Sequence, residues 1–250
     1  LEEAEGNFEK AVEIIRKKGQ SVANKRADRE ATEGVVLARV SDDGKRGIMI
    51  VLNSESDFVA KNAEFVGFAN QILDLAMKSN PADLEELKSL PMDGVTVGEK
   101  VVEYIGIIGE KLELSAYYRI EAPFVQAYIH PGNKLAALTG FDRAGLDQQV
   151  YKDVVMQVAA MNPVAVDKGD VPQSVIDQEL EIGREQARRE GKPEAMLEKI
   201  AQGKLAKFYK ESTLLNQDFI KDSKITVGQY LKTAGDSLKV TGFERHSLTI

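Results

Sequence analysis

The stretch NSESDFVAKNAEF, Asn53–Phe65, joins an apolar run ending at Leu52 to a helical pattern that starts after Asn62. It sets Phe58 beside Asp57 in a polar turn, before that pattern can begin. Two readings of the pair are open. In one, Asp57 caps the following helix, as Asp often does, and Phe58 closes the core. In the other, the turn displays Phe58 as a wedge, whose burial in a partner's crevice would contribute roughly 1.5–3 kcal/mol. The Asp57 carboxylate would then compete for a cation or for the positive end of a helix.

Working outward, Val35–Val40 and Gly47–Leu52 are rich in β-branched and aliphatic residues, with Asp42-Asp43-Gly44 between them as turn chemistry, so a hairpin precedes the turn. Phe65, Phe68, Ala69, Ile72, Leu75 and Ala76 recur at helical spacing until Asn80-Pro81, so a helix follows it. Further upstream, Asn7–Lys18 reads as an amphipathic helix capped by Asn7 and stopped by Gly19. Leu1–Gly6 reads as the last turn of an earlier helix, and Lys25–Glu33 as linker. Gly106 and Gly109 read as a turn; no Lys-Ser/Thr follows them, as a phosphate loop would need.

The arrangement then recurs. Phe124–Ile129, a turn at His130-Pro131-Gly132-Asn133, and Leu135–Thr139 form a second hairpin. Val150, Val154, Val155, Val158 and Ala159 mark a helix that stops at Asn162-Pro163, as the first stopped at Asn80-Pro81. A diverged repeat follows, with a period of roughly 80–90 residues. Pro172–Glu211 differs: charges of both signs crowd it, and its apolar residues thin to a stripe containing Ile176, Leu180, Ala187, Leu197, Ala201, Leu205 and Phe208. Broken at Gly191-Lys192-Pro193, it reads as an antiparallel helical hairpin, a projecting coiled-coil arm suited to dimerisation or docking. Ile225–Leu231 is a short capped helix and Leu238–Ile250 a strand. The fold class is α+β, with helices on hairpin-built antiparallel sheets. The expected organisation is a helical remnant and linker at 1–30 and a first core subdomain at 31–115. A second subdomain spans 116–171 and 213–250, interrupted by the arm at 172–212.

Composition bounds function by exclusion. The 250 residues are 43% hydrophobic and 29% charged, a globular balance, and no apolar run approaches the ~20 residues a membrane helix needs. A net charge of −7 argues against a basic face that tracks nucleic acid. With no cysteine, thiolate nucleophiles, disulfides and thiolate zinc sites are excluded. Two histidines and no HExxH, GxSxG or GxxxxGK[ST] motif leave little catalytic equipment, so neither an enzyme nor a cofactor or metal is expected. The opening Leu1-Glu2-Glu3 carries no signal or transit pattern, and a cytoplasmic location is expected. His130, alone in its hairpin turn, reads as a surface or interface residue. Gln157, amid valines, reads as a core-edge amide or a polar contact offered to a partner.

Several stretches together carry a resemblance: AVEIIRKKG, NSESDFVAKNAEF, YIHPGNKLAAL, VVMQVAAMNP, EGKPEAMLEKIAQGKLAKF, NQDFIKD and TVGQYLK, in this order along the chain. The chain resembles the elongation factor Ts family, bacterial nucleotide exchange factors for the translational GTPase elongation factor Tu. The resemblance implies a partner met in its GDP-bound and nucleotide-free states. It implies that Asp57 and Phe58, within the turn Ser56–Val59, enter the GTPase near its magnesium and phosphate sites. It also implies further contacts from the second subdomain, at His130, Leu135 and Gln157. Ser54 and Ser56 stand where Cys and Thr are usual, Gln157 where His is frequent, and Asn133-Lys134 where Gly-Arg is common. The family's opening helices are not matched. The alternative is a scaffold or chaperone-like module that binds through its arm, which a nucleotide-release assay separates from an exchange factor.

Overall fold

The computed structural model describes residues 3–233 and 238–249. The chain divides into two compact units, one of Leu1–Glu121, Ala127–Leu138 and Glu244–Ile250, the other of Ala122–Gln126 and Thr139–Phe243. Among the described residues no helix is long and apolar enough to cross a membrane.

The first unit opens with α1 (Phe8–Lys25), followed by the hairpin β1 (Glu33–Val40) and β2 (Arg46–Ser54). Next come the single-turn helix α2 (Asp57–Ala60), α3 (Ala63–Ser79) and α4 (Leu84–Ser89), and the two-residue strands β3 (Pro91–Met92) and β4 (Val95–Thr96). Helix α5 (Val97–Ile108) and strand β5 (Leu112–Glu121) complete this run. β2 lies between β1 and β5 in an antiparallel sheet. Alternate residues of that sheet, among them Val35, Leu37, Ile48, Ile50, Leu52 and Leu114, face Phe65, Phe68, Ile72 and Leu73 of α3 and Val101 and Ile105 of α5. The period-2 and period-3.6 apolar patterns thus meet in one core, each large side chain contributing roughly 1.5–3 kcal/mol. The register slips between Val51 and Leu52, placing a bulge on β5 just before β2 runs into the turn. Such bulges bend and re-aim a strand.

Gly19 does not stop α1. The helix runs on to Lys25, and Gly19 is buried where a Cβ would stand 2.4 Å from the Val102 carbonyl oxygen of α5. Gly106 meets Gly19 from the other side and lies inside α5, not in a turn. Only Gly109 breaks that helix, as a left-handed C-cap at φ 82°.

Strands β6 (Phe124–Ile129) and β7 (Leu135–Phe141) form a second sheet with β10 (Val240–Ser247), in the order β10-β7-β6, and each of these strands contributes residues to both units. In the second unit, α6 (Gln148–Met161) buries Val150, Val154, Val155 and Val158, while Tyr151 packs edge-on to Phe141 with ring centroids 4.9 Å apart. The repeat shows in its helix ends. Asn80 and Asn162 are both left-handed C-caps donating their N–H to the carbonyl four residues back, at 2.8 and 3.2 Å, and each precedes a proline. Helices α7 (Gln173–Arg189) and α8 (Glu194–Ser212) turn at Gly191 and pack mainly on each other, with Gly183 set against Ala201. Strands β8 (Asp218–Phe219) and β9 (Asp222–Thr226) and helix α9 (Val227–Thr233) follow.

Candidate functional site

β2 ends at Ser54 and the chain turns over Glu55-Ser56 into α2. Ser56, not Asp57, is the N-cap: its Oγ accepts from Val59 N at 3.4 Å, and Asp57 is the first helical residue. The same hydroxyl donates to the Glu110 carboxylate at 2.8 Å, and Ser56 N donates to it at 3.0 Å. Asp57 is left free to meet Lys61 one turn on, with Nζ to Oδ2 at 2.6 Å. That bond, with the charge behind it and a weaker contribution from Lys134, holds the Asp57 carboxyl below the usual carboxylate range, and Lys61 is raised in turn.

The next three residues step inward. Phe58 is 84% exposed, Val59 is partly buried against the core, and Ala60 is buried. Phe58 therefore does not close the core. It is a large apolar side chain held in water on a turn whose neighbours are anchored, which a folded chain does not gain from by itself.

The β6–β7 turn belongs to the same unit and is tied to the same strand that begins the hairpin. His130 N donates to Leu135 O at 2.8 Å, closing the turn with Asn133 at φ 58°. Asn133 O accepts from Val36 N at 2.6 Å, and Lys134 pairs with Glu33 at 2.5 Å. His130 is exposed, its Nδ1 2.9 Å from the Tyr128 hydroxyl, and Leu135 is half-buried. The turn thus supplies a cation, Lys134, whose charge is felt at Asp57.

Gln157 stands apart in the second unit, with no exposed surface. Its Oε1 accepts from Ile220 N at 2.9 Å, and its Nε2 donates to Gln217 Oε1 and Asp218 O, both at 3.2 Å. Gln157 therefore offers its amide to the β8–β9 turn rather than to the surface, and what that turn presents is Ile220, 42% exposed. Asp153, one helical turn before Gln157 on α6, also holds the turn by bonding Lys221 at 2.6 Å, and it ties α9 in through Tyr230 at 2.8 Å. Burial raises the Asp153 pKa, but the Lys221, Gln149 and Tyr230 hydrogen bonds outweigh it and leave it low. In the arm, Leu197 is buried between the helices and Ile176, Leu180 and Phe208 are half-buried, so the stripe is spent largely on closing α7 against α8. The large apolar side chains of the arm left exposed are Ile182 and Met196.

Sequence reasoning did not single out Glu110, Glu55, Lys61 or Ile220, and it marked Lys134 only as a departure from the family's usual Gly-Arg. Lys61 had a signal, its four-residue spacing from Asp57 on a helix. Glu110 had none, because 54 residues separate it from Ser56.

The profile of the family described as Elongation factor TS matches residues 55–249. An Elongation factor Ts of Porphyromonas gingivalis is 53% identical over 249 residues, 99% of this chain and 90% of that protein. One of Amoebophilus asiaticus is 53% identical over 247 residues, covering 98% of this chain and 89% of the other. One of Christiangramia forsetii is 49% identical over 250 residues, covering 99% and 90%.

Proposed function

The chain belongs to the elongation factor Ts family, a family of translation elongation factors, and from that premise we propose that it is a guanine nucleotide exchange factor for the GTPase elongation factor Tu. In this reading the factor does no covalent chemistry. It binds the GDP-bound GTPase, inserts Asp57 and Phe58 near the magnesium and phosphate sites, and stays on the nucleotide-free protein until a new nucleotide expels it. The observation that carries the reading is Phe58, 84% exposed on an anchored turn beside a carboxylate held ionised by Lys61. Phe58 supplies apolar surface that is buried only in the complex, and Asp57 supplies a negative charge that competes with phosphate for the partner's cation.

The energetics are those of two ligands on one protein. A factor that weakens GDP binding by some ratio is itself weakened by GDP by the same ratio. Shifting the GTPase from almost wholly one state to almost wholly the other needs a differential of about 10⁴, or roughly 5.5 kcal/mol. One buried Phe supplies part of it, and Ser56, Val59, His130 and Leu135 around the same face of the first unit supply polar and apolar contact. In the second unit Gln157 acts through the turn it holds, with Ile220 as the touching residue. The arm, 172–212, is a separate docking or dimer element offering Ile182 and Met196. The setting is the cytoplasm. The test is release of fluorescent GDP from elongation factor Tu with and without this protein. Acceleration that saturates with the factor supports exchange, and an unchanged rate removes it.

A further inference from the structure

We propose that Glu110 is a positioning residue for exchange: with Glu55 it forms a reciprocal carboxylate staple that fixes the Asp57-Phe58 turn in its presenting conformation. The proposal rests on the exchange reading above. It begins at Gly109, whose left-handed cap ends α5 and sends Glu110-Lys111 back alongside Glu55-Ser56. Each segment then takes the other's backbone amide on a carboxylate. Glu110 Oε2 accepts from Ser56 N at 3.0 Å, and Glu55 Oε1 accepts from Lys111 N at 2.6 Å. Arg26 Nη1 closes the outer side on the Glu55 oxygens at 2.9 and 2.8 Å, and Lys111 Nζ reaches the carbonyls of Ala27 and Arg29 at 3.0 and 2.9 Å.

Glu110 acts on the turn a second way. A serine hydroxyl has one proton to give and lone pairs to accept with, and its rotor settles on the best network. Giving that proton to Glu110 at 2.8 Å leaves a lone pair of Ser56 Oγ for Val59 N, which is the N-cap bond of α2. A helix of four residues has too few internal bonds to hold itself, so its order comes from outside. The staple is that outside support, and Phe58 is the side chain it aims. A pre-ordered turn avoids ordering during association. If the turn were ordered only a fifth of the time, a wedge step that needs it would run about five times slower.

The measurement is GDP release from elongation factor Tu by stopped flow, with the full chain titrated to saturation. Glu110→Gln keeps size but turns a donor towards Ser56. Its maximal rate is expected to fall roughly fivefold or more while the half-saturating concentration moves by less than about threefold, because contacts elsewhere still hold the factor. In a Phe58→Ala background the same substitution is expected to cost markedly less, the remainder being the part that Asp57 carries. Ser56→Ala should repeat the loss and Ser56→Thr should restore the rate. Amide exchange at Ser56 should quicken in Glu110→Gln. A full maximal rate in Glu110→Gln, or an equal loss with and without Phe58, overturns the proposal. If Glu110→Gln does not fold, the Ser56→Ala and Ser56→Thr pair decides. If the native chain fails to speed release, the exchange reading fails instead, and Ser56 amide exchange alone judges the staple.

Discussion

An exposed side chain gives the free fold almost nothing that its removal could take away. Phe58→Ala should therefore leave the melting transition within about 0.5 kcal/mol of native, while slowing GDP release roughly tenfold to a hundredfold as about 1.5–3 kcal/mol of burial is lost. A melting temperature lowered by several degrees would mean that Phe58 packs inward in solution. Asp57 makes a separate demand. Its folded pKa is depressed by Lys61, so the pair's contribution is present above the ordinary carboxylate pKa and is lost as pH falls through the depressed value. Between pH 5 and 8 Asp57 stays ionised, and Lys61→Ala should raise its midpoint back towards the ordinary value, followed by carbon NMR of the carboxyl; an unmoved midpoint would clear Lys61 of the role. The local pattern pointed to Asp57 as the cap, whereas the cap is Ser56, whose hydroxyl is held by Glu110 on a segment that pattern could not place beside the turn.

Elements were legible where their period was strong. The hairpins and the helices α3 and α6 follow from alternation and 3.6-residue spacing, and both Asn-Pro stops act as left-handed caps. Contacts between elements distant in the chain were not legible. A glycine in a helical pattern is equally a stop or a point of close approach, and Gly19 is the second because Gly106 of α5 meets it there. Gly19→Ala would drive a Cβ against the Val102 carbonyl, so about 1–3 kcal/mol of destabilisation is expected. Gly203→Ala, on α8 with nothing within 4 Å of its would-be Cβ, should instead stabilise by about 0.5–1 kcal/mol. Thermal melts of the two variants must move in opposite directions. Gln157 belongs to this scale also. Its removal strands Ile220 N–H and the Asp218 carbonyl, so Gln157→Ala should lower stability by about 1–3 kcal/mol, where a surface contact residue would not.

At the scale of the whole molecule the candidate wedge and its supports lie in one unit and the arm in the other. The base of the arm is closed just where α8 ends: Ala165 bridges Thr213, Val164 N donates to Ser212 O at 2.8 Å, and Asn216 Nδ2 bonds Asp167 Oδ1 at 2.6 Å, all outside residues 173–211. Replacing residues 173–211 by a short glycine linker should therefore leave a folded body, with helix signal lost in proportion to the residues removed. Because Ser56–Val59, Glu110 and Lys134 are untouched, that body should still accelerate GDP release, with any weakening read in the half-saturating concentration rather than in the maximal rate. Gel filtration of the same protein asks about the arm itself. If Ile182 and Met196 join two copies, the native chain runs at twice its monomer mass and the shortened one does not. A folded body whose maximal release rate has dropped to the spontaneous value would show that the wedge is not sufficient, and would move the exchange step to the arm.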